Sequence, residues 1–340
     1  LNYSLLAEAV RDVVAEWRQS LDFDAAVLAI EDPGTYTAQI SPLVEARLTH
    51  LGINVDDLRA DVSRETFIHL PNVFDASSLA ETPKTFLPVP SCEGVLMGKA
   101  AALAAISAIG QQAVSYGSEN NGELFVNLVV IPGDGTFAEK SRDKMRGHTD
   151  GASFPPRGYE DAVRSKIAPS PDFVCLIGLR NPDQVATTVM PLSAIVDRLS
   201  DEHIAELKQP KFQIHTQQTF VIGTKRALGE VHIADQVSVL YDIDDQLGIR
   251  FSHKRVATEG AKGEAALTAF KEVCPLCEQA AVINPGDLLL VSNRFALHGR
   301  REVGIKVGGE TRWLLRTYGL AKGAARLDQF HSGSNFKLFP

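Results

Sequence analysis

Arg146-Gly147-His148-Thr149-Asp150-Gly151 is the stretch around which the chain is organised. A histidine and a carboxylate two residues apart on extended backbone point the same way, because strand side chains alternate with period two. The pair can offer two ligands to one metal ion. Gly147 and Gly151 bracket it and allow close backbone approach. The third ligand has to come from elsewhere. Towards the far end, Asn284-Pro285-Gly286-Asp287 makes a turn and Leu288-Leu289-Leu290-Val291 enters the core. Asn293-Arg294-Phe295-Ala296-Leu297-His298-Gly299-Arg300 follows, which puts His298 at the rim of a sheet. There it is either a satisfied loop histidine or the missing ligand. Two histidines and one carboxylate with positions left open is a facial triad that suits non-haem Fe(II). Zn(II) accepts the same donors.

Outward from these motifs, the first third of the chain reads helical. Leu5, Leu6, Ala9, Val10, Val13 and Trp17 recur at helical spacing. Pro42 to Leu51 predicts a second helix closed by Gly52, and the alanine-rich run Gly94 to Ile109 a third, ending at Gly110. Between them, residues 61–90 read as irregular, punctuated by Pro71, Pro83, Pro88 and Pro90. From Glu123 the character changes to short strands: 124–131, 172–179, 184–190, 237–241, 287–292 and 312–318. Helices intrude at 192–209 and 264–273. The expected fold is mainly β with helical additions, a double-stranded β-helix (jelly roll) core flanked by helices. Residues 1–340 are expected to form a single catalytic domain. Within it, 1–114 is a mostly helical part packed on the core, and 115–320 is the jelly-roll core with a helical or lid insertion around 191–275.

Composition excludes several classes. Of the 340 residues, 44% are hydrophobic and 22% charged, ordinary for a globular protein. A net charge of -8 offers no general attraction to nucleic acid or anionic membrane. No run approaches the roughly eighteen apolar residues of a membrane span. Glu8, Arg11 and Asp12 interrupt Leu1 to Val14, so this stretch is not a signal peptide, and the expected compartment is the cytoplasm. Of the 4 cysteines, Cys274 and Cys277 form a lone C-x-x-C with no second pair to complete a zinc site. They read as a helix end and loop, and Cys175 as a small core residue.

Arg312 and Arg316 stand out because Trp313, Leu314 and Leu315 between them predict a buried strand. Arginine is seldom fully buried without an anion. The two share a face and need two anions, either protein carboxylates or carboxylates of bound molecules. The guanidinium fork suits a bidentate carboxylate better than a lysine does.

The order H-x-D, a threonine after an Arg-Asn-Pro turn, N-x-x-x-x-H-G-R and R-x-x-x-R resembles the clavaminate synthase-like (TauD-related) branch of the Fe(II)/2-oxoglutarate-dependent oxygenases. The resemblance is best over residues 115–320 and includes Leu179-Arg180-Asn181-Pro182-Asp183 through Ala186-Thr187-Thr188. Members of this branch include hydroxylases of free arginine, lysine and asparagine. The resemblance implies a dioxygenase that hydroxylates an unactivated C–H of an amino acid, with Fe(II), 2-oxoglutarate and O2 as cofactor and co-substrates. It implies His148, Asp150 and His298 as iron ligands and Arg312 as the holder of the distal carboxylate of 2-oxoglutarate. Thr188 would help Arg312, with Thr187 a neighbouring candidate. Arg316 would take the α-carboxylate of the substrate, and Glu119, where many members have glutamine, its α-amino group. Glu119 has the alternative of being a solvated loop carboxylate. Many relatives carry glutamate where this chain has Asp150, and residues 159–170 look inserted, as part of a lid.

Two other enzymatic readings and one non-enzymatic reading compete. A zinc hydrolase would use the same triad but leave Arg312, Arg316 and Thr188 without a purpose. The oxygenase chemistry could act on a peptide- or carrier-bound residue instead of a free amino acid. A jelly-roll binding module would not need an intact triad. For the substrate side chain, relatives acting on arginine and lysine surround the cationic end with acids, whereas this chain has Thr216-Gln217-Gln218-Thr219-Phe220 and Arg250-Phe251-Ser252-His253-Lys254. Ser252 and Lys254 stand where the acids would be, and Gln217 and Gln218 suit a polar group. A neutral polar or acidic amino acid is therefore expected, unless Asp242, Asp244 and Asp245 line the pocket in their place. The oligomeric state is not legible.

Overall fold

The computed structural model describes residues 3–340; Leu1, at the head of the first predicted helix, lies outside them. Two sheets carry the structure. The larger runs Phe67–Leu70, Leu288–Ser292, Phe173–Arg180, Trp313–Ala321, Gln111–Tyr116, Lys337–Leu338, with Val126–Leu128 also paired to Trp313–Ala321. The smaller runs Gln279–Ala281, Thr187–Pro191, Ala296–Arg300, Met145–His148. All these pairings are antiparallel except that of Lys337–Leu338 with Gln111–Tyr116.

Period-two side-chain alternation explains how the large sheet is buried on both faces. Cys175, Ile177 and Leu179, with Leu288 and Leu290, and Trp313 and Leu315, join the core shared with the helices. Their neighbours Val174, Leu176, Leu289, Val291, Leu314 and Tyr318 join a second core that also contains Val189, Ala281 and Ala296 of the small sheet. The sheets therefore face each other across this second core. Arg312 and Arg316 have the parity of Leu314 and Tyr318, so they belong to the space between the sheets.

The helical layer is larger than its pattern predicts, and helical residues outnumber strand residues, against the mainly β expectation. Glu93–Ala108 lies against the large sheet; its alanines let backbones approach, and nearly all of it is buried. The predicted 42–51 helix begins earlier, at Pro33. Asp32 caps it by accepting from the backbone N–H of Gly34 and Thr35, and Pro42 sits inside it. Phe23–Glu31 and Val55–Val62 were not legible as helices, nor was the strand Phe67–Leu70 inside the stretch read as irregular. The buried strand expected at 124–131 is regular only over Val126–Leu128.

The insertion at 191–275 contains sheet as well as helix. Val256–Thr258, Phe212–His215 and Ile233–Val237 form one sheet, and Leu240–Ile243 pairs with Gln246–Ile249. These strands and the helices Leu192–Val196, Asp201–Leu207 and Ala261–Val273 enclose a core of their own around Phe212, Ile214, Phe251 and Phe270. Residues 159–170 are tied down: His232 and Asp161 pair at 2.8 Å, Arg164 pairs with Glu230, and Arg326 pairs with Glu160. Cys274 and Cys277 are free, buried thiols in a short 3-10 turn, and burial pushes the Cys274 thiol up to about 12. Among the described residues, no helix is long and apolar enough to cross a membrane.

One contact links the insertion to the space between the sheets. Gly223, in the helix Gln218–Leu228, lies so close to Ser118 that a Cβ there would stand 2.0 Å from the Ser118 carbonyl oxygen. Backbone against backbone cannot relax by a rotamer change, and overpacking of this kind costs about 1–3 kcal/mol. Gly223→Ala is expected to lower the unfolding free energy by that amount, seen as a lower urea midpoint, and to displace the neighbouring Glu119. An unchanged midpoint would show that the helix and the 115–119 segment slide apart freely.

Candidate active site

His148 ends the strand Met145–His148, and Asp150 lies in the turn that follows, so the expected extended H-x-D bends after its histidine. Gly151 has φ +63°, which an L side chain rarely adopts, and this lets the chain turn directly behind the carboxylate. His298 is not at a sheet rim. It lies inside the strand Ala296–Arg300, where it pairs with Val189 on one side and with His148 on the other. The two imidazoles are thus cross-strand neighbours, their ring centres 4.4 Å apart.

The Nε2 atoms of His148 and His298 face different oxygens of Asp150, each at 3.5 Å. One ligand atom from each of the three residues falls within 4.8 Å of the others. Donors about 2.0–2.2 Å from one ion, set at right angles, stand about 3 Å apart. The gap therefore fits a first-row divalent cation. His148 Nδ1 lies 3.0 Å from the Arg146 carbonyl. Donation of Nδ1–H to that oxygen leaves the Nε2 lone pair towards Asp150, as a ligating histidine requires.

Backbone clamps hold the turn. Asn293 accepts from the Asp150 N–H through Oδ1 at 2.7 Å and donates through Nδ2 to the carbonyls of Asp150 and Pro171. Gln217 accepts from the Gly151 N–H at 2.8 Å and donates to the Thr149 carbonyl at 3.0 Å. Gln217 is therefore occupied with the metal turn and does not offer its amide to a substrate. Burial pushes the Asp150 carboxyl up, but the neighbouring His148 and His298 and the charge of Arg316 outweigh it and hold the group well below its usual range. Burial, then the charge of His148, lowers the pKa of His298. At neutral pH an ionised carboxylate and a neutral imidazole are ready to coordinate.

The two arginines differ. Arg312 is buried; among the described residues no acid pairs with it and its Nε has no hydrogen-bond partner. Burial, and then the charge of Arg300, pushes it down to about 9. Thr188 is fully buried opposite Gly299 in the ladder, one step from His298, and its hydroxyl is also without a partner. Arg316 instead donates from Nη2 to Glu119 Oε2 at 2.7 Å, and its Nη1 lies 3.9 Å from Asp150 Oδ2. Tyr318 donates to the same Glu119 oxygen at 2.9 Å. Glu119 Oε1 is buried and has no partner, which excludes the solvated-loop alternative for this residue.

A cleft opens on His148 between the helix Thr136–Arg142 and the 252–255 segment. Ser252 lines it, bridges to His148 through its backbone and is buried. Lys254 lines it too but is exposed, so the desolvated cation expected at that position is not there. Gln218 begins a helix that the sequence did not announce. Asp242 pairs with Lys208, while Asp244 pairs with Arg157 and Arg294; neither lines the cleft. Sequence reasoning missed Lys140 and Arg255 in the cleft, although both are cations in polar surroundings next to a quoted motif.

No protein-family model matches the chain. The two facing sheets bring together two histidines and one carboxylate, donors of the kind that suit a non-haem Fe(II) ion. The chain is 24% identical over 269 residues to an enduracididine beta-hydroxylase of Streptomyces hygroscopicus, covering 71% of this chain and 72% of that one. It is 27% identical over 206 residues to an L-asparagine oxygenase of Streptomyces coelicolor, covering 59% and 55%. A crystal structure of asparagine oxygenase with Fe(II), 2S,3S-3-hydroxyasparagine and succinate superposes with a TM-score of 0.74 at 20% identity, covering 100% of this chain and 98% of that one. By sequence the chain is similar to amino-acid hydroxylases and oxygenases, and by fold to a solved asparagine oxygenase.

The triad predicts three equivalent losses. His148→Ala, Asp150→Ala and His298→Ala should each weaken Fe(II) binding by at least about tenfold, since even a partner outside the ligand set is worth about 10–100-fold. Anaerobic Fe(II) titration of each folded variant measures this. A variant that binds iron like the parent would remove its residue from the ligand set.

Proposed function

We propose that the protein is a non-haem Fe(II)/2-oxoglutarate-dependent dioxygenase that hydroxylates an unactivated C–H of a free amino acid. The observation that carries this reading is the pairing of a cation-sized triad with Arg312, a buried guanidinium left without a protein anion. The two facing sheets act as the double-stranded β-helix of that class, with residues 1–340 as one catalytic unit and the helical layer as its support.

His148, Asp150 and His298 hold the iron and leave the remaining positions to exchangeable ligands. Arg312, with the Thr188 hydroxyl, holds the distal carboxylate of 2-oxoglutarate. Iron and 2-oxoglutarate, when bound, supply the oxidising power that inserts one atom of O2 into C–H while 2-oxoglutarate leaves as succinate and CO2. Arg316 and Glu119 receive the amino-acid head group. Each keeps one unused site, Arg316 Nε and Glu119 Oε1. A zwitterion brings a carboxylate to the first and an ammonium to the second, so a free α-amino acid suits the pair better than a peptide or carrier-bound residue. A zinc hydrolase would give the unpaired Arg312 nothing to do.

The two arginines should respond oppositely to removal. Arg312→Met takes away an unpaired buried charge, so the ligand-free protein should unfold at the same or a higher temperature. The same change leaves the bound carboxylate unpaired, which costs about 3–5 kcal/mol, or roughly two to three and a half decades in the Kd of 2-oxoglutarate. Arg316→Ala strands buried Glu119, so it should lower the melting temperature and chiefly weaken the amino acid. Melting curves with separate titrations of 2-oxoglutarate and amino acid decide the matter. The reverse pattern would exchange the two assignments, and substrate-stimulated succinate release that never appears would sink the oxygenase reading.

A further inference from the structure

The cleft that opens on His148 has a volume of about 680 Å³. Its acids, Glu139, Asp143 and Glu302, are exposed. Its cations are accounted for unequally. Arg146 reaches His253 at 2.9 Å, and Lys144 pairs with Glu278 at 3.3 Å. Arg255 has no acid and donates only to the amide oxygen of Gln218 at 3.0 Å. Lys140 is partly buried, and its side-chain ammonium makes no hydrogen bond or ion pair among the described residues. Burial lowers its pKa, and the charges that act on it are those of Asp150, Glu119, Arg316 and Arg255. These are the metal carboxylate, the head-group pair and the other unpaired cation.

Lys140 is not on a loose tether. Arg300, two residues past His298, donates from Nη2 to the carbonyls of Lys140 and Asp143 at 3.1 and 2.8 Å. The strand that carries a metal ligand thus anchors the end of the helix Thr136–Arg142. Around the space for the substrate side chain the protein sets three cations, Lys140, Arg255 and Arg316, against two acids, Asp150 and Glu119. The head-group zwitterion adds no net charge, and a divalent metal together with Arg312 exceeds the two negative charges of 2-oxoglutarate. A cationic side chain meets repulsion there, and like-charge contact costs several kcal/mol. A neutral amide leaves a partly desolvated ammonium without a counter-ion. The aspartates that would recruit a basic side chain, Asp242 and Asp244, face Lys208, Arg157 and Arg294 instead.

We propose that Lys140 and Arg255 read an anionic group at the end of the substrate side chain, so that the substrate is an acidic α-amino acid. This narrows the oxygenase reading above and rests on it. Lys140 acts by binding the substrate, so its removal should appear in KM more than in kcat.

The test uses the iron-reconstituted enzyme with 2-oxoglutarate. Anaerobic calorimetry measures binding, and aerobic succinate release measures turnover, for L-aspartate, L-glutamate, L-2-aminoadipate, L-asparagine, L-glutamine, L-arginine and L-lysine. An acid is expected to bind most tightly and to couple best. Lys140→Met should raise its KM at least about tenfold with kcat within about threefold, and Lys140→Arg should restore most of the loss. Tighter binding of an amide or a basic amino acid than of all three acids overturns the proposal and leaves the oxygenase reading standing. An unchanged KM in Lys140→Met also overturns it. If none of the seven binds although 2-oxoglutarate does, both the acidic-substrate proposal and the free-amino-acid reading fail. If 2-oxoglutarate itself does not bind, the oxygenase reading fails.

Discussion

Burying an ionised group without a counter-ion is expensive, and the space between the two sheets holds Asp150, Glu119, Arg312 and Arg316, all buried. Most of the local architecture follows from how these charges are met. Glu119 meets Arg316 and the Tyr318 hydroxyl, and Asp150 meets two histidines with Arg316 nearby. Arg312 meets no acid among the described residues. The protein therefore keeps an unpaired charge in its interior, and the rest of the fold has to be stable enough to tolerate it. The helical layer and the two-sided burial of the large sheet supply that surplus.

The triad is a product of register. Antiparallel pairing places His298 opposite His148, and the bend at Gly151 brings Asp150 back against both. A slip of one residue would turn His298 to the other face of its sheet. Asn293 and Gln217 prevent a local version of that slip by holding the backbone of residues 149–151 from two sides. One clamp comes from the loop before the second histidine and the other from the insertion. The insertion is thus part of the support of the turn that carries Asp150 and not merely a cover over it.

What could be read from sequence followed the length scale of the physics. Strands such as Phe173–Arg180 and Leu288–Ser292 were legible because burial on both faces writes continuous apolar runs. Helix Gln218–Leu228 was not, because only Phe220 and Thr224 of it are buried and the rest carries no apolar stripe. The ligand types could be proposed from residue chemistry and order. Their distances could not, because His148 and His298 become neighbours only through a ladder between segments 150 residues apart in sequence. For the same reason, spacing alone left open whether Arg312 or Arg316 would find a protein anion. The partner, Glu119, lies 197 residues before Arg316. Nothing in the sequence marks Lys140 within its polar stretch, and only the fold brings its helix, held by Arg300, to the cleft.

Unsatisfied polar atoms complete the argument about where ligands go. Eleven buried side-chain atoms have no hydrogen-bond partner among the described residues, and five of them are Glu119 Oε1, Thr188 Oγ1, His298 Nδ1, Arg312 Nε and Arg316 Nε. Buried orphans are uncommon in folded proteins, because each costs about 1–3 kcal/mol. Random packing faults would scatter them through the structure. Here nearly half cluster around one point, and four of the five have the polarity to meet a dicarboxylate or a zwitterion: donors at Arg312 and Arg316, an acceptor at Glu119 and a hydroxyl at Thr188. The chain leaves its own hydrogen-bonding incomplete where bound molecules would complete it. Binding energy and folding stability are therefore coupled through the same few atoms.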